Sequence, residues 1–373
     1  MMDRKVVTNL LTLSLPSVLV CLLIGEAAFR WVVPACQFPD RVWDPRWEIV
    51  RFDTGTGRTD GLYTAGPLAQ LRARWHINAA GWTSAIDYGQ TRDRARPRVA
   101  IIGDSFVEAL HVDTDKSLTA VARGMLGPGL EIYSFGISGA PLSEYLQISR
   151  YVAAIYDPDV LVINVVHNDF DQSLVEVCQE PFFLRLRPDG DRFAEVRPSP
   201  YSPSGLRRVL KQSAAVRYVT ENVGLRNALF LWNVRAARER FQSNVDVAAL
   251  ESRKDVLVRL TSHVVSAIAG ENKGRAVLFM MDAPRDDLYA GTMRRGRVWW
   301  LHEALRGACL TSGVGFLDLA DAFESHYAAH GQRFETPWDG HWNELGHRVA
   351  ATALSRWLGA HVASPPVRAG ARQ

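Results

Sequence analysis

The fold is decided by residues 98–106, which read Arg-Val-Ala-Ile-Ile-Gly-Asp-Ser-Phe. An apolar run with β-branched residues ends abruptly at Gly103, and this predicts a buried strand that closes in a tight turn. The hydroxyl of Ser105 would then lie just past the C-terminal end of the strand, where open α/β sheets build their active sites. Ser105 is therefore a candidate nucleophile, although a serine in this position also caps a following helix in many proteins.

Four further apolar runs of strand length follow this stretch and alternate with segments of helical length. They lie near 130–135, at 160–166, at 276–281 and at 315–319. This alternation predicts a parallel sheet with right-handed crossovers. The pattern is interrupted over about residues 170–246, which we interpret as a helical insertion or lid. It is expected to contain one helix near Gly205–Val223 and a second helix, with Trp and Arg residues, after it.

A base for Ser105 is available in the loop before the last predicted helix. A serine hydroxyl is a poor nucleophile unless an adjacent base takes its proton. An imidazole held by a carboxylate meets that need, so we predict His341 as the base and Asp339 as its orienting carboxylate. His347 lies close in sequence and is the competing candidate for the base.

Three hydrogen-bond donors are predicted to lie at the same edge of the sheet. Gly139 follows the second strand of the predicted sheet and Asn168 follows the third. The backbone N–H groups of Ser105 and Gly139 and the side-chain amide of Asn168 would together stabilise an oxyanion. Each of these residues, taken alone, is also typical of an ordinary turn, so the prediction rests on their joint position.

Four short blocks, in this order, resemble the conserved blocks of the SGNH, or GDSL-type, hydrolase superfamily. The blocks are Gly103-Asp104-Ser105-Phe106, Ser138-Gly139, Asn168-Asp169 and Asp339-Gly340-His341. The resemblance covers about residues 98–360. It implies a flavodoxin-like three-layer parallel sheet, with Ser105 as nucleophile, Gly139 and Asn168 in the oxyanion hole, and His341 as base.

Two of the blocks depart from the usual pattern. The third is often Gly-x-Asn-Asp, whereas here Val166-His167 precedes Asn168. The last is often Asp-x-x-His, whereas here Asp339 stands two residues before His341, as in members similar to alginate O-acetyltransferases. Residues 76–82 also resemble the lead-in of membrane-anchored bacterial members.

The N-terminus carries twenty residues without a charge, Val6 to Gly25, after Arg4 and Lys5. This length spans a bilayer as a helix, and the basic flank favours a cytoplasmic N-terminus. We therefore expect a single-pass anchor in the bacterial inner membrane, with the catalytic domain facing the periplasm or the exterior. A cleaved signal peptide is the main alternative, and a buried core helix is a further one.

The rest of the chain divides around the predicted hydrolase domain. Residues 1–33 are the anchor or signal segment, 34–96 a lead-in that packs on the core, 97–361 the hydrolase domain with its insertion, and 362–373 a disordered tail.

Composition adds further limits. The net charge of +3 gives no reason to expect nucleic acid as a partner. The four cysteines lack metal-ligand spacing, and no phosphate-binding or dinucleotide-binding glycine pattern is present, so we expect no metal and no cofactor. A disulfide among Cys36, Cys178 and Cys309 is left open.

The sequence thus predicts a serine ester hydrolase or O-acyltransferase that acts through an acyl-serine. The expected partners are an acyl ester of a cell-envelope polysaccharide or lipid, and the membrane itself through the N-terminal helix. The alternative is a non-catalytic envelope or polysaccharide-assembly protein that retains the fold.

Overall fold

The computed structural model describes residues 10–224, 241–243 and 245–362. The strands in these ranges are β1 (Arg41–Asp44), β2 (Ile49–Phe52), β3 (Asp60–Ala65), β4 (Leu71–His76), β5 (Arg98–Gly103), β6 (Glu131–Gly136), β7 (Val160–Val165), β8 (Arg185–Asp189), β9 (Arg192–Val196), β10 (Phe241–Gln242), β11 (Val245–Asp246), β12 (Ala276–Met281) and β13 (Gly315–Asp318).

The α-helices in the same ranges are α1 (Leu15–Trp31), α2 (Ser105–Glu108), α3 (Leu118–Leu126), α4 (Leu142–Tyr156), α5 (Gly205–Gln212), α6 (Ala214–Arg217), α7 (Val247–Ser252), α8 (Lys254–Glu271), α9 (Arg285–Tyr289), α10 (Trp300–Ser312), α11 (Ala320–His330) and α12 (Glu344–Val362). Short 3₁₀ turns occur at Thr114–Lys116, Gly127–Gly129, His167–Asp169, Asp171–Ser173 and Met293–Arg295, and π-helical turns at Leu10–Ser14 and Tyr218–Asn222.

Five parallel strands form the central sheet, in the order β6-β5-β7-β12-β13. Numbered along the chain, this is the order 2-1-3-4-5 of the flavodoxin-like fold. Every residue of β5 and β7 is buried, as expected for parallel strands that are covered on both faces. Alternate residues of β5 belong to two hydrophobic clusters, one on each side of the sheet. The predicted three-layer fold is confirmed.

The register of the sheet brings the C-terminal ends of its strands to one edge. Gly103 pairs with Gly136 at the ends of β5 and β6, and Ile102 pairs with Ile163 near the end of β7. The short helix α2 packs directly on the end of β6, where a Cβ atom on Gly136 would lie 2.1 Å from the backbone nitrogen of Glu108. This close approach fixes where α2, and Ser105 at its start, can lie.

The lead-in forms two antiparallel hairpins, β1–β2 and β3–β4. Ile49, Trp75 and Trp82 are buried in the same hydrophobic cluster as Phe135 of the central sheet. The strands of this region are only four to six residues long, so the alternation of buried and exposed side chains is too short to be recognised in the sequence. The lead-in therefore shares its core with the main sheet.

The insertion differs in detail from its predicted form. A single helix was expected near residues 205–223, but α5 ends at Gln212 and α6 begins after Ser213, whose hydroxyl oxygen accepts the N–H of Val216. The second helix expected in the insertion falls largely on residues 225–240, outside the described residues. The cysteines Cys21, Cys36, Cys178 and Cys309 are all free thiols.

The N-terminal helix is long and apolar enough to cross a membrane between Thr12 and Trp31, and none of this segment is buried. A buried core helix is therefore excluded, while an anchor and a signal sequence both fit. Arg4, Lys5 and the expected tail after residue 362 lie outside the described residues.

Candidate active site

Ser105 lies at the first position of α2, directly after the end of β5. The carboxylate of Asp104 caps this helix, because its Oδ1 accepts the N–H of Phe106 at 2.9 Å. Burial raises the pKa of the Asp104 carboxyl to about 6. Strand end, cap and short helix together place the Ser105 side chain at the sheet edge, partly exposed to solvent.

The structure brings Ser105, His341 and Asp339 into one hydrogen-bonded chain. Ser105 Oγ lies 2.8 Å from His341 Nε2, and His341 Nδ1 lies 2.5 Å from Asp339 Oδ1. Because Nδ1–H donates to the carboxylate, Nε2 keeps its lone pair for the serine proton. Ser105 Oγ also lies 3.2 Å from Asp104 Oδ2, but the shorter contact is to the imidazole.

The short spacing between Asp339 and His341 is accommodated by a sharp turn. Asp339 Oδ1 accepts the backbone N–H of His341 at 2.8 Å as well as the ring N–H. The other oxygen, Oδ2, accepts the hydroxyl of Tyr63 at 2.5 Å. The carboxylate thus folds back on its own loop and also contacts strand β3 of the lead-in.

The charges of this pair shift both pKa values. Burial would lower the pKa of the His341 imidazole, but the charge and hydrogen bond of Asp339 outweigh it and raise that pKa above its ordinary value. Burial would raise the pKa of the Asp339 carboxyl, but His341 and Tyr63 hold it far below its usual range. Asp339 is therefore ionised at every working pH.

His347, the competing base, lies away from Ser105. Its ring is fully buried, and its Nδ1 accepts the N–H of Leu118 at 3.1 Å, which caps α3. Its Nε2 lies 3.1 Å from Nε2 of His111, whose ring stacks on His341 with centroids 4.5 Å apart. Burial lowers the pKa of His347 to about 3 and that of His111 well below its ordinary value, so this pair packs against His341 as neutral rings.

Gly139 lies in the loop after β6 with φ of +82°, a conformation that favours glycine. Within the described part of the chain, the N–H groups of Ser105 and Gly139 donate to no protein acceptor. The preceding residue, Ser138, is held on both sides: its N–H donates to the buried carboxylate of Glu108, and its carbonyl accepts a hydrogen bond from Arg41 Nη2 at 2.9 Å. Two backbone donors at the sheet edge are thus left free for a ligand.

Asn168 lies in the 3₁₀ turn that follows β7. The turn is fixed by the carboxylate of Asp169, which accepts the N–H of Val166 and the hydroxyl of Tyr145, each at 2.8 Å. The Asn168 amide donates to Gln172 Oε1 at 3.2 Å and is almost fully buried. Since one N–H of an amide group is used in this bond, the other is available to a ligand.

Sequence reasoning missed Tyr63, Glu108 and Arg41. Glu108 had a weak signal, because it lies on the same short helix as Ser105. Tyr63 and Arg41 had none, since both come from the lead-in and reach the site only through the tertiary fold.

Comparison with known proteins agrees with this architecture. The family model of GDSL-like lipases and acylhydrolases matches residues 99–354. No curated protein sequence matches the chain. This protein belongs to the GDSL-like lipase/acylhydrolase family, which is the SGNH class of ester-hydrolysing enzymes.

Solved structures of low sequence identity are similar to the chain. A carbohydrate acetylesterase family member from Sinorhizobium meliloti has 12% identity and a TM-score of 0.36, over 72% of this chain and 100% of that one. An aryl esterase from M. smegmatis has 13% identity and a TM-score of 0.35, over 71% and 99%. A G-D-S-L family lipolytic protein from Veillonella parvula has 11% identity and a TM-score of 0.37, over 69% and 96%.

The first prediction concerns the pH dependence of activity. Only the neutral imidazole accepts a proton, so activity should rise with pH through a value above the ordinary histidine pKa of about 6.5. Asp339→Asn removes the negative charge that raises the pKa of His341 against the effect of burial. The acid limb of the kcat/KM profile should therefore move to lower pH, and the plateau should fall by a factor on the order of 10⁴. The measurement is the pH profile of p-nitrophenyl acetate hydrolysis.

Asp191→Asn is the matched control, because Asp191 is fully exposed in the turn between β8 and β9, where it pairs with Arg259 of α8. It should leave the profile unchanged. An acid limb that stays in place in Asp339→Asn would show that the carboxylate does not set the pKa of the base.

Proposed function

We propose that this chain is a serine ester hydrolase that acts through an acyl-serine on an acyl ester of a cell-envelope glycan or lipid. The observation that carries the proposal is the hydrogen-bonded chain from Ser105 through His341 to Asp339. Ser105 is the nucleophile, His341 the general base and Asp339 the group that orients it.

In the first half-reaction, Ser105 Oγ attacks the carbonyl carbon of the ester while its proton passes to His341 Nε2. The tetrahedral oxyanion would be stabilised by the N–H groups of Ser105 and Gly139 and by the amide of Asn168. The C–O bond to the alcohol then breaks, and the alcohol leaves with the proton from His341. An acyl-serine remains.

In the second half-reaction, His341 takes a proton from an incoming hydroxyl, which attacks the acyl carbon. The bond between that carbon and Ser105 Oγ then breaks, and His341 returns the proton to Oγ. Water as the acceptor gives hydrolysis, and a sugar hydroxyl gives O-acyl transfer. The His341 side chain is about a third exposed and Ser105 is partly exposed, so water reaches both groups. This exposure supports hydrolysis as the reaction in the absence of a bound acceptor.

We further propose that the chain is a single-pass inner-membrane protein whose catalytic domain faces the periplasm or the exterior. The C-terminal turns of α1 make specific contacts with the insertion. Glu26 accepts the hydroxyl of Ser213 at 2.8 Å and the N–H of Ala214 at 2.9 Å, and Phe29 stacks on Tyr218 with centroids 3.8 Å apart. Glu26 of α1 thus caps the start of α6. A contact of this kind would be lost if the N-terminal segment were cleaved, so it supports an anchor that is retained in the mature protein.

The hydrolase proposal is tested with p-nitrophenyl acetate, with and without an oligosaccharide acceptor, on the detergent-solubilised full chain. We expect turnover in water that is lost in Ser105→Ala. An acetylated oligosaccharide in the product would assign acyl transfer. Wild-type turnover no faster than that of Ser105→Ala across a panel of acyl esters would contradict the proposal and favour a non-catalytic role.

The membrane proposal is tested on the protein from cell fractions, with a reporter fused after Gln373. We expect the chain to stay with membranes through an alkaline wash, to keep its residues before Glu26, and to show reporter activity only outside the cytoplasm. A soluble periplasmic chain that begins after the apolar segment would instead identify a cleaved signal peptide.

A further inference from the structure

We infer that Tyr63, on strand β3 of the lead-in, is a positioning residue for the active site, which holds the carboxylate of Asp339 in the orientation that serves His341. The inference rests on the proposed function, because it assigns to Tyr63 an effect on the same hydrogen-bonded chain. Tyr63 lies before residue 99, where the match to the family model begins, and 276 positions before Asp339.

The buried charge of Asp339 requires hydrogen-bond donors. The Asp339 side chain is only 6% exposed, and a buried carboxylate is costly unless donors satisfy its oxygens. Oδ1 is satisfied by the two N–H groups of His341. Within the described residues, the hydroxyl of Tyr63 is the one side-chain donor to Oδ2, at 2.5 Å.

The hydrogen bond from Tyr63 also restricts rotation of the carboxylate. Rotation of the Asp339 carboxylate about its last side-chain bond would exchange or misdirect the two oxygens. A hydrogen bond at Oδ2 resists that rotation and keeps Oδ1 directed at His341 Nδ1. A fixed orientation matters here because the loop is short. Oδ1 also accepts the backbone N–H of His341, and only a narrow range of positions lets it reach both donors.

Tyr63 itself is held in place by its neighbours. Its neighbours Leu62 and Thr64 are tied to the segment that follows α1: Leu62 exchanges hydrogen bonds with Gln37, and the hydroxyl of Thr64 donates to the carbonyl of Pro34 at 3.0 Å. The Tyr63 ring packs edge-on against Phe38, with centroids 5.8 Å apart. Burial and the charge of Asp339 raise the pKa of the Tyr63 phenol, so it remains a donor at any working pH.

The experiment is a double-mutant cycle with Tyr63→Phe and Asp339→Ala in the full chain, measured as kcat and KM for p-nitrophenyl acetate. A hydrogen bond to a charged group is worth a factor of about ten to a hundred, so Tyr63→Phe should lower kcat by roughly that factor and change KM little. In the Asp339→Ala background, Tyr63→Phe should cause no further loss, because Tyr63 acts only through the carboxylate.

Tyr88→Phe is the matched control. Tyr88 is also a lead-in tyrosine and is buried, and its hydroxyl donates to the carbonyl of Ser134 at 2.9 Å, not to the loop of Asp339 and His341. Loss of the Tyr88 hydroxyl should change the melting temperature without a selective loss of kcat. The change in melting temperature caused by Tyr63→Phe is then compared with that caused by Tyr88→Phe.

Two results would overturn the inference: wild-type kcat in Tyr63→Phe, or the same fold-loss from Tyr63→Phe in the wild-type and Asp339→Ala backgrounds. Both presuppose a wild-type enzyme whose turnover depends on Ser105. Failure of the proposed function would be seen differently, as wild-type turnover no greater than that of Ser105→Ala.

Discussion

The hydrogen bond between Ser105 Oγ and His341 Nε2 joins two parts of the chain that are 236 residues apart in sequence. Ser105 is fixed by the end of β5 and by the Asp104 cap, while His341 lies in the loop before α12. A contact at 2.8 Å between such distant residues requires the whole sheet and the packing of α12 against α3 to be in place. The geometry of the site is therefore a consequence of the tertiary fold.

The central sheet was predictable because its strands are buried on both faces and stand out as continuous apolar runs. The run predicted at 276–281 coincides with β12, and β5 and β7 match within a residue or two. The approach of Ser105 to His341 was predictable for a related reason, since parallel strands end at one edge. The separation of His341 from His347 became visible only in three dimensions, where the ring of His347 bonds the backbone of α3.

The lead-in was far less predictable, and it supplies the parts of the site that sequence reasoning missed. Its hairpins are short, and their residues are buried by contact with the main sheet more than by a periodic face of their own. Arg41 holds the loop of Gly139, and Tyr63 holds Asp339. Neither residue type nor spacing signals such a role, because each contact is made across the fold to a residue almost 100 or more positions away. Helix α11 was likewise not predicted; it follows the last strand closely, with little amphipathic pattern to mark it.

These contacts also connect the site to the N-terminal helix. Pro34 and Gln37, which follow α1, bond the strand that carries Tyr63, and Glu26 of α1 caps a helix of the insertion. The orientation of the Asp339 carboxylate and the attachment of the apolar helix thus depend on one continuous stretch of chain. The C-terminal turns of α1 are thus attached to the domain, while the apolar turns before them stay exposed.

We propose that Ser105 is the nucleophile activated by His341, and covalent labelling of the serine tests this directly. The full chain is treated with a fluorophosphonate, and the adduct is located by mass spectrometry of its peptides, with Ser105→Ala and His341→Ala in parallel. We expect one adduct per chain, on Ser105, which is absent in Ser105→Ala and forms far more slowly in His341→Ala. Equal labelling of the wild type and Ser105→Ala, or an adduct on another residue, would contradict it.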